Sequence, residues 1–153
     1  MRDLSNDEAQ RLLARGKVAR LGIFDRGQDR VYVVPVSYYY RDGAAYLHSA
    51  PGLKLDLLHE RPAHVCFQVD EIGDEGEWQS LIGWGQFEEI ADAAERVRVL
   101  KGFGDRLQRG PLRDHSRAGR AGMLGAGETV YRIVLEELTA RADSSGWQAA
   151  ESA

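Results

Sequence analysis

A histidine, a serine, a glycine and a lysine lie close together where a strand is expected to end and a helix to begin. The segment is His48-Ser49-Ala50-Pro51-Gly52-Leu53-Lys54, and we call it the strand–helix corner. A helix N-terminus exposes backbone N–H groups without partners, and its dipole favours a negative charge. Because a hydroxyl, a glycine and a lysine cation share this corner, it predicts a site for the phosphate of a cofactor. The alternative is an ordinary corner with a solvated lysine.

Other chemistries find less support in the sequence. His59, His64 and Cys66 lack the spacing of a zinc site, so no metal site is predicted. The Gly-x-Ser-x-Gly turn of serine hydrolases is absent, and the adjacent His48 and Ser49 would point to opposite faces of a strand. The Gly-Phe-Gly at 102–104 falls at the end of an expected helix, which argues against a dinucleotide-binding fold.

Composition limits the class of protein. The chain has 153 residues, with 20 basic and 24 acidic side chains and a formal net charge of −4, which argues against a general nucleic-acid binder. A single cysteine, Cys66, excludes an internal disulfide and favours a reducing compartment. The sequence shows no apolar run of membrane-spanning length and no signal-peptide pattern at its start. We therefore expect a cytoplasmic protein with neither nucleic-acid nor membrane partners.

Hairpin-like connections dominate the expected order of elements. The pattern predicts helices over 5–15, from 53 to before 62, and over 91–101, with strands over 17–24, 30–40, 45–49, 63–70, 78–90 and 129–138. The third helix is expected to end near Gly102 or Gly104, after Val97, Leu100 and Phe103 on one stripe. This order favours an α+β fold: an antiparallel β-barrel with flanking helices. We expect one domain over 1–142, a mobile loop over 110–127 and a flexible tail over 143–153.

Three residues within the strands leave two interpretations open. Pro35 cannot donate a ladder hydrogen bond, so it marks either an edge strand or a bulge that turns the backbone toward a ligand. Gly83 and Gly85 indicate either curvature of the barrel, which we favour, or a flat ring lying over the backbone.

Several segments together resemble the pyridoxamine 5′-phosphate oxidase-like superfamily. They are Val-Val-Pro-Val-Ser-Tyr at 33–38, the segment 46–54 that contains the corner, and Val-Cys-Phe-Gln-Val-Asp at 65–70. The Ser-x-x-Gly-x-Gly strand at 80–85 and the strand at 132–138 also fit. Within the superfamily the chain is most similar to the flavin-binding group that includes the nitroimidazole-resistance reductases.

The resemblance implies a split β-barrel of the FMN-binding type that forms a homodimer, with one FMN at each end of the subunit interface. The residues that it assigns to the cofactor are Val33, Val34, Pro35, Val36, His48, Ser49, Ala50, Lys54, Trp78 and Ser80.

The resemblance also implies which part of the cofactor each residue contacts. Residues 33–36 would lie along the isoalloxazine edge through backbone contacts, and residues 48–50 would contact the flavin or its ribityl phosphate. Lys54 would pair with the phosphate. Trp78 and Ser80 would reach the flavin of the partner subunit. His48 would lie near the substrate, which makes it the candidate catalytic residue.

These residues predict an FMN-dependent oxidoreductase that takes electrons from NADH or NADPH and reduces a small, electron-poor, nitroaromatic-like substrate. The extra basic residue that true pyridoxamine phosphate oxidases carry beside the lysine is absent at Lys54, so vitamin B6 oxidation is not predicted. The alternatives are a non-catalytic flavin-binding or sensor protein, and a relative that uses a deazaflavin or haem.

Overall fold

The computed structural model describes residues 1–60, 64–108 and 127–144. The strands are β1 (Arg2–Asp3), β2 (Val18–Asp25), β3 (Arg30–Ser37), β4 (Tyr39–Arg41), β5 (Ala44–Ser49), β6 (His64–Ile72), β7 (Trp78–Glu89) and β8 (Thr129–Asp143). The helices are α1 (Asn6–Arg15), α2 (Leu53–His59) and α3 (Ala93–Gln108).

The sheet is rolled so that its two edge strands meet. The strand order is β3-β2-β6-β7-β8-β5-β4, and all paired neighbours are antiparallel. Strands β3 and β4 stand at opposite ends of this order, yet only Tyr38 separates them in the chain. Because one residue spans only about 3.8 Å, the sheet must curl until these edges are adjacent. No strand pairing between the described residues crosses that gap, so the fold is an antiparallel split β-barrel with flanking helices, as predicted.

The prediction of one strand over 30–40 was wrong, because the chain bends at Tyr38. The side chain of Tyr38 is buried, its hydroxyl donates to the carbonyl of Leu13 at 2.8 Å, and its ring packs edge-on against Phe67. Its backbone N–H donates to the carbonyl of Lys17 at 3.1 Å. These contacts hold the bend where the chain leaves β2 and begins to pair with β5.

The barrel interior is filled by every second side chain of the strands. The inward side chains of β2 and β6 are Ala19, Leu21, Ile23, Val65, Phe67 and Val69. Helix α1 packs Leu12 and Leu13 against the same core. Ser5 and Glu8 form a capping box at the start of α1.

The prediction that the third helix ends near Gly102 or Gly104 was wrong, since α3 continues to Gln108. A Cβ atom at Gly102 would lie 2.8–3.0 Å from the ring of Tyr39, so this glycine lets α3 approach the sheet. The predicted stripe also needs correction. Val97 is exposed, whereas Val99 and Phe103 are buried against the sheet.

The strand register resolves the open interpretations of Pro35 and Gly85, whereas that of Gly83 stays a prediction. β3 is an edge strand, and its register with β2 continues without a break through the pair Pro35–Arg20. A bulge lies between Trp84 and Gly85, where a Cβ on Gly85 would come within 3 Å of the backbone of Val134. Pro35 therefore marks an edge and Gly85 marks barrel curvature.

Two predicted segments lie largely outside the described residues. Of the predicted mobile loop over 110–127 only Gly127 is described, and of the predicted tail over 143–153 only residues 143 and 144. The last strand does not end at 138, because β8 remains paired with β7 as far as Asp143. The single domain over 1–142 stays a prediction.

Two buried tyrosines give a paired prediction about stability. The hydroxyl of Tyr131 is buried and has no hydrogen-bond partner among the described residues, and burial raises its pKa. Replacing Tyr131 with phenylalanine removes an unsatisfied polar group, so we expect the free energy of unfolding to rise by about 1 kcal/mol. Tyr38→Phe removes the hydrogen bond to the carbonyl of Leu13 and should lower the free energy of unfolding by about 1 kcal/mol. Urea unfolding measures both, and equal destabilisation by the two variants would contradict the prediction.

Candidate functional site

The split of the barrel brings two groups of predicted residues to one gap. Tyr39 pairs with Tyr46, so continuing the β4–β5 register would place Pro35 opposite Ala50. The chain instead turns β3 toward β2, and no strand pairing among the described residues fills the space. We call this space the seam: it is bordered by β3 on one side and by residues 47–50 on the other. Residues 33–36 and the first residues of the strand–helix corner, 48–50, therefore border it.

Lys54 supplies a cation without a counter-charge at the corner. Its side chain is half-buried, and among the residues that the structure describes no carboxylate lies within ion-pair distance of it. Burial lowers the pKa of Lys54, and no anion within the described ranges offsets that effect. A half-buried ammonium group favours binding of an anion, because an anion restores the stabilisation that lost water provided.

Gly52 leaves open space immediately before α2. It has φ 157° and ψ −177°, a conformation that is essentially restricted to glycine. Apart from its two chain neighbours, no heavy atom of the described residues lies within 4 Å of the position a Cβ would take. A ligand can therefore approach this backbone closely. Helix α2 has only 7 residues, so its dipole is weak, and the anion site depends on Lys54, Gly52 and the Ser49 hydroxyl.

His48 lies on the opposite face of β5 from Ser49, as strand geometry predicts. Ser49 follows Leu47 on the barrel side, whereas His48 faces α3. The Nδ1 atom of His48 lies 2.7 Å from Oε2 of Glu128, and its ring packs edge-on against Phe103 with centroids 4.7 Å apart. The imidazole is thus oriented by both a carboxylate and a ring.

The four residues 33–36 divide between the two faces of β3. Val36 is buried and Val34 is partly buried against the core, while Val33 and Pro35 are exposed on the outer face. Because β3 is an edge strand, its outward backbone groups are free to contact a ligand in the seam.

Trp78 and Ser80 do not join the corner within one chain. Along β8, the corner residue Ser49 pairs with Thr129, whereas Ser80 pairs with Arg141. Twelve residues of strand separate Thr129 from Arg141, which corresponds to roughly 40 Å of extended chain. Trp78 lines a separate open cleft of about 500 Å³ beside β1 and the end of β8. Within one chain, Trp78 and Ser80 therefore lie apart from the predicted residues of the corner.

An apolar row crosses the outer face of four neighbouring strands. One row across the sheet consists of Val33, Gly22, Cys66 and Trp84. Exposed apolar side chains beside this row are Phe24, Val31 and Pro35. We call this surface the outer apolar face. An exposed apolar patch on a sheet is typical of a surface that binds another protein.

Glu128 and Phe103 are functional candidates that the sequence did not reveal. Glu128 lies 80 residues from His48 in the chain, and no local pattern marks it. Phe103 was expected only on an apolar helix stripe. Among the described ranges no group of three or more His, Cys, Asp or Glu residues could hold a metal ion. Within those same ranges, no helix has the length and apolar character needed to cross a membrane.

Comparisons with known proteins agree with this fold. A family model described as pyridoxamine 5′-phosphate oxidase matches residues 5–142. An FAD-binding protein from Mesorhizobium loti is 30% identical, with 94% of this chain and 98% of that one covered and a TM-score of 0.67. A candidate 5-nitroimidazole antibiotic resistance protein from Bacteroides thetaiotaomicron is 21% identical, with 93% and 90% covered and a TM-score of 0.72, which supports the fold alone. An uncharacterized protein of Rhizobium meliloti (strain 1021) is 31% identical over 90 residues, which are 59% of this chain and 58% of that protein.

Proposed function

Because this chain belongs to the pyridoxamine 5′-phosphate oxidase family, we propose that it is an FMN-dependent oxidoreductase. The observation that carries the proposal is the half-buried Lys54 cation, which has no ion pair among the described residues and stands beside the open backbone of Gly52. Lys54 and the Ser49 hydroxyl suit a single terminal phosphate, as in FMN. The Mesorhizobium loti relative is named as FAD-binding, so FAD is the cofactor against which FMN must be tested.

The residues beside the seam have separable roles in this proposal. Lys54 and Ser49 hold the phosphate, and the free backbone edge of residues 33–36 lies along the ring. A bound flavin supplies the transfer of hydride or electrons between donor and substrate. The protein positions the reactants, and His48 orients the substrate or gives it a proton.

We further propose that two copies of the chain associate through the outer apolar face. Exposed apolar side chains on β2, β3 and β7 flank a row that crosses β6 at Cys66, and a second copy would bury this surface. A homodimer also accounts for the distance between the corner and the residues Trp78 and Ser80 within one chain. In a dimer, Trp78 and Ser80 of one copy approach the seam of the other copy. The site is incomplete without the second copy.

The substrate class is a small, electron-poor molecule such as a nitroaromatic, with NADH or NADPH as the electron donor. The test is an anaerobic titration of the flavin-loaded protein with each nicotinamide, followed by addition of a nitroaromatic compound. We expect the flavin absorbance near 450 nm to bleach with the donor and to return with the nitroaromatic. A flavin that stays oxidised with both donors would instead indicate a non-catalytic flavin-binding protein.

A further inference from the structure

The two ring nitrogens of His48 have different surroundings. Nδ1 lies 2.7 Å from Oε2 of Glu128. Nε2 forms no hydrogen bond with any residue in the described part of the chain. The edge-on ring of Phe103 at 4.7 Å limits rotation of the imidazole. The two nitrogens therefore cannot exchange places easily.

Glu128 is itself held in position. Its backbone carbonyl accepts a hydrogen bond from the guanidinium group of Arg96 in α3 at 2.9 Å. The next residue, Thr129, begins β8 and pairs with Ser49 in β5. Because β5 and α3 both fix the backbone beside Glu128, its carboxylate is held against Nδ1 of His48.

We propose that Glu128 is a positioning residue that keeps His48 in the Nδ1–H tautomer, so that Nε2 is the only ring nitrogen that exchanges protons with a bound ligand. The ligand in this statement rests on the proposed function. A carboxylate accepts a hydrogen bond and cannot donate one when ionised, so the Nδ1 proton stays on the ring. The imidazolium releases its Nε2 proton to the ligand and takes one back at Nε2 from water, while Nδ1–H stays bound to Glu128.

A second histidine in the chain provides an internal comparison. In His59 it is Nε2, not Nδ1, that lies 2.9 Å from a carboxylate, that of Glu89. The same reasoning assigns His59 the Nε2–H tautomer. The two histidines should therefore show opposite tautomers in one sample, and Glu89→Ala is a matched control for Glu128→Ala.

The test is long-range ¹H–¹⁵N correlation NMR of the histidine side chains in the full-length, flavin-free protein, at a pH where the rings are neutral. The His48 signals are identified by their loss in a His48→Gln variant. We expect Nδ1–H at His48 in the wild type and a change to Nε2–H, the form that a neutral histidine prefers in water, in Glu128→Ala. Glu89→Ala should leave His48 unchanged. A wild-type His48 in the Nε2–H form would overturn the proposal whatever the Glu128 variant does.

A second readout separates this inference from the proposed function. In the flavin-loaded protein, Glu128→Ala should lower kcat about 10-fold with little change in KM, as part of the contribution that acid–base catalysis makes. An unchanged kcat together with a changed tautomer would overturn the role of Nε2 toward the ligand. If the wild type binds no flavin, the proposed function fails, while the NMR result still decides whether Glu128 sets the tautomer.

Discussion

Replacing Lys54 with glutamine is expected to weaken FMN binding by roughly 10- to 100-fold. A hydrogen bond to a charged group contributes about 1.5–3 kcal/mol, and each 1.4 kcal/mol corresponds to a tenfold change in Kd. No ion pair ties Lys54 to the rest of the described structure, so its charge is free to act on the cofactor. Fluorescence titration with FMN measures the effect.

The control for this variant is Lys101→Gln, which removes an exposed lysine on α3 that is not part of the corner. It should leave the Kd for FMN unchanged. The flavin-free Lys54→Gln protein should unfold within about 0.5 kcal/mol of the wild type, because no salt bridge is lost. Equal FMN affinity of Lys54→Gln and the wild type would show that the phosphate does not lie at this corner.

Replacing Val33 with arginine is expected to raise the Kd of the homodimer at least about 100-fold. Val33 is 59% exposed in the single chain and lies in the central row of the outer apolar face. Association would bury the new charge without a partner, and an unpaired buried charge at an interface costs about 3 kcal/mol or more. Analytical ultracentrifugation over a range of concentrations measures the dimer fraction.

Val97→Arg is the matched control for the dimer prediction. Val97 is 66% exposed, similar to Val33, but lies on α3 and not on the outer apolar face. This variant should remain dimeric. If the wild-type chain is monomeric at all concentrations, or if both variants dimerise equally well, the outer apolar face is not a dimer interface.

Local patterns predicted much of the fold because they are set by nearby residues. The capping box at Ser5 and Glu8 marks the start of α1 in the sequence itself. The alternation of Val65, Phe67 and Val69 predicts the buried face of β6. Such features need only the hydrophobic period and the capping chemistry, and both are visible without a tertiary structure.

Features that depend on distant contacts were not predictable in this way. The bend at Tyr38 follows from its bond to Leu13, and the continuation of α3 past Gly102 follows from packing against Tyr39. A helix rule treats that glycine as a stop, whereas the fold uses it for a close approach. Contacts of this kind appear only after the barrel has formed.

The candidate site also has a part that local sequence predicts and a part that depends on distant contacts. The corner at 48–54 was predictable because its residues are contiguous, and the structure keeps His48 and Ser49 on opposite faces of β5. The partnership of His48 with Glu128 was not predictable, because it depends on the pairing of β5 with β8. The distance of Trp78 and Ser80 from the corner follows from the length of β8.

Equilibrium binding of flavin to the purified chain tests the central claim most directly. The protein, freed of bound ligand, is titrated separately with FMN and FAD while flavin fluorescence and visible absorbance are followed. We predict saturable binding of one FMN per subunit, tighter than that of FAD and weakened by Lys54→Gln. Tighter binding of FAD would contradict the assignment of FMN, and no binding of either flavin would contradict the account as a whole.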